Sequence, residues 1–293
     1  MAEPKRVLLA GCADLPRGDG DEDVLLPALA EAGCKAEWIV WDDPSAPISD
    51  ADLVILRATW DYAGRRDEFL QWCEAVPMLR NPASVARWNT DKAYLAELSA
   101  ARLATVPTEV VPPGRLPEWP AGEFVVKPSV GAGSRGARRF AADDVDGACE
   151  HLAELHADGH TALVQPYQAD VDAHGETACV FIAGRYSHAF VKGPMLSGAG
   201  MDDSGLFVAE KVHAEQPAED VLAFAEQAMD TATSVLSLRR DDLLYARIDV
   251  VRGVDGAPML LELELTEPSL GLSLAGDAAA IRMAEAVREL LDG

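Results

Sequence analysis

The sequence predicts a two-part architecture, in which a doubly wound α/β domain precedes an α+β region. Over about the first 80 residues, buried strands and helices alternate as they do around parallel sheets, with strands at 6–11, 36–41 and 51–57 and helices at 22–33 and 64–76. After a proline-rich stretch the pattern changes to hairpins separated by helices. We therefore expect an N-terminal α/β domain at 1–85, a small central lobe at 86–165 and a C-terminal α+β lobe at 166–293.

Local signals place the elements of the later region. A helix over about 90–101 carries Lys92, and the segment 106–123 is proline-rich and loop-like. Asp143 or Asp144 caps the next helix. The remaining pattern predicts a strand at 161–167, a hairpin at 176–193, a helix at 217–237, a β pair at 245–265 and a final helix at 277–291.

Charge and cysteine usage limit the class of protein. The 293 residues carry a formal net charge of −24, which argues against nucleic acid or an anionic membrane as the main partner. The five scattered cysteines show no C-x-x-C spacing, which indicates reduced core thiols rather than disulfides or a zinc site. No run is long and apolar enough for a bilayer. The sequence therefore predicts a cytoplasmic protein with a small-molecule substrate, and it leaves homo-oligomer formation open.

The segment GAGSRG at 131–136 matches G-x-G-x-x-G, a pattern that is weak when it stands alone. A dinucleotide-binding loop opens a helix directly, whereas here the extended residues 137–140 follow. A P-loop would have lysine and serine or threonine where Ala-Arg follows the glycines. The remaining interpretation is a glycine flap between two antiparallel strands, with Lys127 at the end of the apolar run 124–126. Such a loop and lysine together bind phosphate, and a surface hairpin would not readily place a lysine in that run.

The segment MLLELEL at 259–265 reads as a strand that carries two glutamates on one face. Side chains alternate along a strand with a period of two. We therefore expect one face to hold Leu261, Leu263 and Leu265, and the other to hold Leu260, Glu262 and Glu264. Taken alone this is a half-buried strand with a solvated face, so the preceding strand decides the interpretation.

The preceding strand brings a third acid to the same place. If residues 255–256 form a two-residue turn, Asp249 lies directly opposite Glu262 and Arg247 opposite Glu264. Facing residues are about 4.5–5.5 Å apart, and like charges at that distance are destabilising. Carboxylate oxygens in this number suit Mg²⁺, which binds one or two carboxylates together with substrate phosphates. The hairpin therefore predicts a magnesium site.

Lys92, Lys127 with its glycine flap, a linker strand and an acidic hairpin follow one another in an order that resembles the ATP-grasp superfamily. The resemblance covers essentially the whole chain and implies the ATP-grasp fold. Within that superfamily, the segments LLAGCADLPRGDGDED, RATWDY, RWNTDK and LTEPSLGL resemble the O-ureido-serine cyclo-ligase family of cycloserine biosynthesis.

The resemblance implies a role for each matching residue. ATP phosphates would be held by Lys92 and Lys127 under a flap at 131–136 that includes Gly131, Gly133 and Ser134. The hinge at 164–167 would contact adenine through Gln165, where the family usually has glutamate, and Tyr167. Either Asp172 or Glu176, with Glu176 favoured, would bind the ribose. Magnesium would be bound by Asp249, Glu262 and Glu264, the last of which is often asparagine in the superfamily. The transferred phosphoryl group would be stabilised by Arg247, and Lys192 or Lys211 would do similar work.

The acceptor site is expected between the N-terminal domain and the metal hairpin. Its candidates are Asp14, Arg57, Asp61, Glu267 and Ser269. Arg57 ends a predicted parallel strand, where α/β sheets bind ligands, although a helix-capping or surface arginine is an equal alternative. The acids Asp19, Asp21 and Asp23 are interpreted as charges at a helix N-terminus. Core packing is the preferred interpretation of Trp60 and Tyr62.

The resemblance implies an ATP-dependent carboxylate–amine ligase that works through an acyl phosphate. Its reaction would be the cyclisation of O-ureido-D-serine to D-cycloserine, with release of ADP, phosphate, carbon dioxide and ammonia. Two alternatives use the same nucleotide residues. One is an intermolecular amino-acid or peptide ligase, and the other is a non-catalytic ATP-binding protein.

Overall fold

The computed structural model describes residues 3–194, 196, 206 and 211–293. Its N-terminal domain is a parallel four-stranded sheet of order β2-β1-β3-β4. The elements of this domain are β1 (Lys5–Gly11), α1 (Glu22–Glu31), β2 (Cys34–Val40), β3 (Leu53–Ala58), α2 (Arg66–Ala75), β4 (Leu79–Arg80) and α3 (Ala83–Asn89).

Both faces of this sheet are covered, as the continuous apolar runs of its central strands require. Val7 and Leu9 of β1 pack into one cluster with α1, and Leu8 of the same strand packs on the other face with Phe69 of α2. The predicted doubly wound α/β domain is confirmed.

The central lobe is an antiparallel sheet of order β5-β8-β6-β7 with one helix packed against it. Asp144 caps that helix by accepting a hydrogen bond from the Gly147 N–H at 3.2 Å. The elements of this lobe are α4 (Tyr94–Ala100), β5 (Glu109–Val111), β6 (Phe124–Pro128), β7 (Arg138–Phe140), α5 (Val145–Ala157) and β8 (Ala162–Pro166). The glycine segment connects antiparallel β6 and β7, as predicted.

The C-terminal lobe contains an antiparallel sheet of order β11-β10-β9-β12-β13. Its elements are α6 (Asp170–His174), β9 (Glu176–Ile182), β10 (Arg185–Lys192), β11 (Val212–Glu215), α7 (Glu219–Leu236), β12 (Tyr245–Arg252), β13 (Pro258–Glu264), α8 (Leu272–Ala275) and α9 (Asp277–Asp292). Phe181 of β9 packs with α7 on one face, and Val180 packs with α9 on the other. Since α9 also packs on α1, the last helix joins this lobe to the N-terminal domain.

Within the described sequence the strands thus form three sheets, one in each of the three predicted segments, and the domain boundaries at 1–85, 86–165 and 166–293 stay a prediction. No helix in these described ranges is long and apolar enough to cross a membrane.

Three local predictions were wrong. The helix predicted over 90–101 is the shorter α4, which begins at Tyr94, and Lys92 lies in the turn between α3 and α4. Strand β5 lies inside the proline-rich segment, and β4 precedes α3. The two missed strands are only three and two residues long, which is too short for a periodicity to be visible.

The acidic hairpin has the predicted strand register at its acidic residues, but its turn differs from the predicted one. Asp249 pairs with Glu262 and Arg247 with Glu264. The connection is a longer loop closed by a hydrogen bond from the Gly253 N–H to the Ala257 carbonyl at 2.9 Å, not a two-residue turn. A bulge in β13 between the partners of residues 249 and 250 adds one residue and restores the register.

The bulge also changes the faces of β13. Leu260 is fully buried and belongs to the core cluster that contains Leu263, contrary to the simple alternation. Leu261 instead lines the cleft beside Glu262 and Glu264. A bulge leaves one residue unpaired and re-aims the side chains next to it, and the acidic face gains an apolar neighbour in this way.

A buried ion network joins the N-terminal domain to the C-terminal segment. The guanidinium of Arg57 contacts the carboxylates of Asp19 and Asp21 and donates a hydrogen bond to the Pro268 carbonyl at 3.3 Å. Asp21 also accepts a hydrogen bond from the Ser273 N–H at 2.9 Å. The predicted helix N-terminus is confirmed for Asp21, which is the N-cap residue of α1, but Asp19 and Asp21 also pair with a buried arginine. Arg57 is neither a surface nor a capping residue.

This network predicts a pH dependence of stability. Burial, together with the charge of Asp21, raises the pKa of Asp19 from 3.8 to about 6, although Arg57 opposes the shift. The folded protein therefore holds a proton that the unfolded chain releases between about pH 4 and 6, so this group makes the free energy of unfolding fall as pH rises through that window. We expect Asp19→Asn to flatten this part of the stability curve by up to about 3 kcal/mol. Urea denaturation at several pH values measures it, and an unchanged slope would contradict it.

Candidate active site

The three lobes meet around a cleft of about 320 Å³. The N-terminal domain contributes Asp19, Trp60 and Tyr62, the central lobe contributes the flap and β6, and the C-terminal lobe contributes β13 and its continuation. The hinge residues 165–168 form one end of the cleft. Most of the residues selected from the sequence are brought together here.

Lys127 lies on β6 at the base of the flap, and its side chain lines the cleft. Within the described residues its ammonium group has no hydrogen bond or ion pair. Burial lowers the pKa of Lys127 despite the attraction of Glu262, and the nearby charge of Lys92 adds to this lowering. A partly buried ammonium group without an ion pair is stabilised by an anionic ligand.

Lys92 connects the flap to the acidic strand. Its backbone N–H donates to the Ser129 carbonyl at 2.8 Å, which fixes the turn against the end of β6. Its ammonium group donates to the Gly131 carbonyl and lies 3.0 Å from a carboxylate oxygen of Glu262. Burial opposes the charge of Lys92, but Glu262 outweighs it and raises the pKa. Among the described residues, Lys92 therefore has hydrogen-bond and ion-pair partners, whereas Lys127 has neither.

The negative charges of the acidic hairpin are compensated by cationic side chains from two strands. Asp249 is fully buried and does not line the cleft, whereas Glu262 and Glu264 do. Lys192 donates to Asp249 at 2.7 Å, and Arg247 donates to it at 2.9 Å and also to Glu264. The strands thus place two carboxylates in the cleft and a third among cations beside it.

The two cleft carboxylates have different affinities for a proton. Burial opposes the ionisation of Glu262, but Lys92 and Lys127 outweigh it and hold its pKa below the usual range. Burial raises the pKa of Glu264 to about 8, against the attraction of Arg247. Among the described residues, no group of three or more His, Cys, Asp or Glu side chains is arranged as a metal site.

Of the two ribose candidates, only Glu176 lines the cleft. It begins β9, and Lys192 lies 2.9 Å from its carboxylate. The close approach depends on Gly175, because a Cβ at that position, where φ is +73°, would lie 2.4 Å from the Lys192 carbonyl oxygen. The carboxylate of Asp172 instead accepts a hydrogen bond from the Tyr167 hydroxyl at 2.6 Å.

The hinge end of the cleft is a slot with an apolar lining. Gln165 and Tyr167 line it, and the guanidinium of Arg139 stacks on the Tyr167 ring at 3.6 Å. The apolar lining is supplied by the central lobe on one side and by the C-terminal lobe on the other, through Val106, Val125, Val171 and Leu261. Such walls suit a planar ring.

The opposite end of the cleft is acidic. Glu267 follows β13, and its carboxylate interacts with the nearby Tyr62 hydroxyl, which favours the ionised form of the acid and lowers its pKa. The Trp60 indole N–H donates to the Glu267 carbonyl at 2.8 Å, and Arg247 donates to the Ser269 carbonyl at 3.0 Å. Burial raises the pKa of Glu267 to about 7, although Lys92 lowers it. Asp19 lines the same end.

Several predicted residues lie outside the cleft. Asp14 is exposed, and Arg57 is committed to the buried ion network. Asp61 accepts a hydrogen bond from the Trp41 indole at 2.8 Å and pairs with Arg65 at 2.6 Å. Lys211 is exposed. These side chains already have structural partners or face solvent, so the acceptor-site candidates that line the cleft are Glu267 and Ser269.

Comparison with known proteins decides the family. Residues 7–83 match the model described as "D-cycloserine synthetase DcsG, N-terminal domain". The "Cycloserine biosynthesis protein DcsG" of Streptomyces lavendulae is 40% identical over 291 residues, which cover 93% of this chain and 94% of that protein. The chain belongs to the D-cycloserine synthetase DcsG family.

Solved structures agree with this family. The crystal structure of D-cycloserine synthetase DcsG superposes with a TM-score of 0.87 at 37% identity, covering 98% of this chain and 99% of that one. The D-alanine–D-alanine ligase of Bacillus anthracis complexed with ATP superposes with a TM-score of 0.64 at 13% identity, covering 99% and 100%. The predicted ATP-grasp fold is therefore confirmed, and this member of the DcsG family is an enzyme of the ATP-grasp ligase class.

Sequence reasoning missed four residues that this family member brings to the cleft. Asp19 was assigned to a helix N-terminus, and Trp60 and Tyr62 were assigned to the core, where they also pack. Arg135 in the flap donates to the Trp60 carbonyl at 2.9 Å, so the flap touches the N-terminal domain. A long-range contact of this kind leaves no periodic signal in the sequence, although an arginine in a glycine loop of so acidic a chain was a usable hint.

Proposed function

We propose that the protein catalyses the ATP-dependent cyclisation of O-ureido-D-serine to D-cycloserine. The observation that carries the proposal is Lys127, a partly buried ammonium group in the cleft with no hydrogen bond or ion pair among the described residues, at the base of the glycine flap. An ATP phosphate supplies the missing negative charge. Membership of the DcsG family supports the choice of substrate.

The chemistry requires a carboxylate to become an acylating agent. A carboxylate oxygen of the substrate attacks the γ-phosphorus of ATP, which forms an acyl phosphate and releases ADP. The ureido nitrogen bonded to oxygen then attacks the carbonyl carbon, a five-membered ring closes and phosphate leaves. Hydrolysis of the carbamoyl group consumes one water and yields carbon dioxide and ammonia. The protein supplies positioning and charge stabilisation for these steps.

Glu262 and Glu264 fit a divalent cation as hard oxygen donors that face the cleft, and substrate phosphates complete such a site. Asp249 stays a predicted ligand, because Lys192 and Arg247 engage it. Bound Mg²⁺ would neutralise phosphoryl charge. Lys92 and Lys127 hold the phosphate oxygens, and Arg247 stabilises the transferred group.

The acidic end of the cleft suits the α-ammonium group of an amino-acid substrate. Glu267 and Asp19 both line the cleft, and the raised pKa of Glu267 reflects a desolvated acid that a cationic ligand would stabilise in its ionised form. Ammonium bound there would leave the substrate carboxylate pointing toward the lysines. The hinge, 165–168, would then hold adenine at the far end.

We expect Glu267→Gln to raise the KM for O-ureido-D-serine about tenfold, because a charge-assisted hydrogen bond becomes a neutral one. The KM for ATP should change by less than about twofold, since the nucleotide contacts lie elsewhere in the cleft. Steady-state phosphate release measures both constants. Equal increases in both would contradict the assignment of Glu267 to the acceptor.

The proposed reaction is tested by phosphate release with ATP and Mg²⁺ in the presence of O-ureido-D-serine, its L-enantiomer or mixed amino acids. Release that depends on O-ureido-D-serine, with D-cycloserine identified by mass spectrometry, is the expected result. Release only with pairs of amino acids would favour an intermolecular ligase. Nucleotide binding without turnover of any acceptor would favour a non-catalytic protein.

A further inference from the structure

The side chain of Gln165 in the hinge can present either a hydrogen-bond donor or an acceptor to the predicted nucleotide. Gln165 lines the slot and is 3% exposed. A glutamate carboxylate could only accept hydrogen bonds, whereas a glutamine has an accepting oxygen at one end and a donating NH₂ at the other. Adenine carries an amino donor at position 6, and hypoxanthine or guanine carries an oxygen acceptor there. The orientation of the Gln165 amide therefore decides which purine it can contact.

The neighbouring strand fixes that orientation. Strands β5 and β8 are antiparallel with Glu109 opposite Val164, so Thr108 lies opposite Gln165. The Gln165 amide nitrogen is 2.8 Å from the Thr108 hydroxyl oxygen. The direction of this hydrogen bond follows from the next contact in the chain of donors.

The Thr108 hydroxyl lies 2.8 Å from the Val106 carbonyl oxygen. A carbonyl can only accept, so the hydroxyl proton points to Val106, and the Thr108 oxygen is left as an acceptor. Only the NH₂ end of Gln165 can satisfy it. Turning the amide around would draw the hydroxyl proton away from Val106, which is 1% exposed and has no other donor to its carbonyl among the described residues, at a cost of about 1–3 kcal/mol.

We propose that Thr108 sets the purine selectivity of the cleft by holding the Gln165 amide with its oxygen toward the nucleotide. The inference rests on the proposed function only in that a purine nucleotide occupies the cleft. Within the described sequence no donor contacts the Gln165 oxygen, and Gln165 lines the cleft together with Val125 and Leu261. Thr108 does not line the cleft, so it is a positioning residue that acts through Gln165.

The test compares ATP with purine riboside triphosphate, which lacks only the 6-amino group, and with ITP, which carries an oxygen there. Dissociation constants are measured by calorimetry with Mg²⁺ for the wild type, Thr108→Val and Thr108→Ser. We expect the wild type to bind ATP about tenfold more tightly than purine riboside triphosphate, the worth of one good hydrogen bond. In Thr108→Val this ratio should fall to about two, and ITP should bind more tightly than to the wild type. Thr108→Ser, which keeps the hydroxyl, should retain the wild-type ratio.

A double variant separates orientation from packing. Thr108→Val with Gln165→Glu should recover the preference for ATP over purine riboside triphosphate, because a carboxylate accepts at either end. An unchanged ratio in Thr108→Val, or an equal loss for all three nucleotides, would overturn the inference. Binding with the expected selectivity but no turnover of O-ureido-D-serine would overturn the proposed cyclisation and leave this inference standing.

Discussion

Glu262→Gln is expected to lower ATP-dependent phosphate release about a thousandfold. The variant removes a carboxylate that lies in the cleft, 3.0 Å from the Lys92 ammonium group, and whose ionisation Lys92 and Lys127 both favour. A neutral amide would bind Mg²⁺ weakly, would break the ion pair with Lys92 and would remove the negative charge that attracts Lys127. Loss of one charged group aimed at the reacting centre typically costs a hundred- to a thousandfold, and here a metal ligand is lost as well.

The matched control is Glu215→Gln, since Glu215 is exposed on the edge strand β11. It should retain the wild-type rate, and both variants should retain the wild-type melting temperature within a few degrees. Wild-type turnover in Glu262→Gln would return β13 to the simpler interpretation of a half-buried strand with a polar face.

Arg57→Ala is expected to lower the free energy of unfolding by about 3–5 kcal/mol, because it leaves two buried carboxylates without their counter-charge. Asp19 and Asp21 both contact this guanidinium, and its own side chain is fully buried. The loss also removes the hydrogen bond to Pro268, which connects β3 to the C-terminal lobe. Urea denaturation measures the change.

The comparison variant is Arg288→Ala, which breaks an exposed i,i+4 pair with Asp292 on α9. An exposed pair of this type is worth about 0.5 kcal/mol or less, so the two arginines should differ widely. Arg57→Met combined with Asp19→Asn and Asp21→Asn should restore part of the stability, since a buried ionic group can be replaced as a whole. Similar losses for the two single arginine variants would refute the role assigned to the network.

The sequence was sufficient for features that depend on local periodicity. The buried run of β3, the helix cap at Asp144 and the position of Lys127 before a glycine loop all follow from neighbouring residues. The predicted pairing of Asp249 with Glu262 was also correct, although the predicted turn was not. The longer loop shifts the register by one residue, and the bulge shifts it back. The assumed two-residue turn was wrong, while the register it implied at the acids was right.

Features that depend on contacts between lobes could not be obtained in this way. Asp19 and Tyr62 reach the cleft because β1, β3 and the C-terminal segment come together, and no spacing along the chain encodes that meeting. Arg57 was a candidate for the acceptor site because it lies at a strand end. Its guanidinium is instead paired with two acids from the loop after β1. Burial of a charge depends on which partners arrive, and those partners are distant in sequence.

The packing of α9 on α1 has a consequence for how the chain folds during synthesis. Val7 and Leu9 of the first strand share a core cluster with Met283 and Val287, which belong to the last helix. The N-terminal sheet therefore emerges from the ribosome long before α9, which covers part of one of its faces, has been synthesised. That face stays open until α9 has been synthesised, so native docking of the first domain must wait for the residues of that helix.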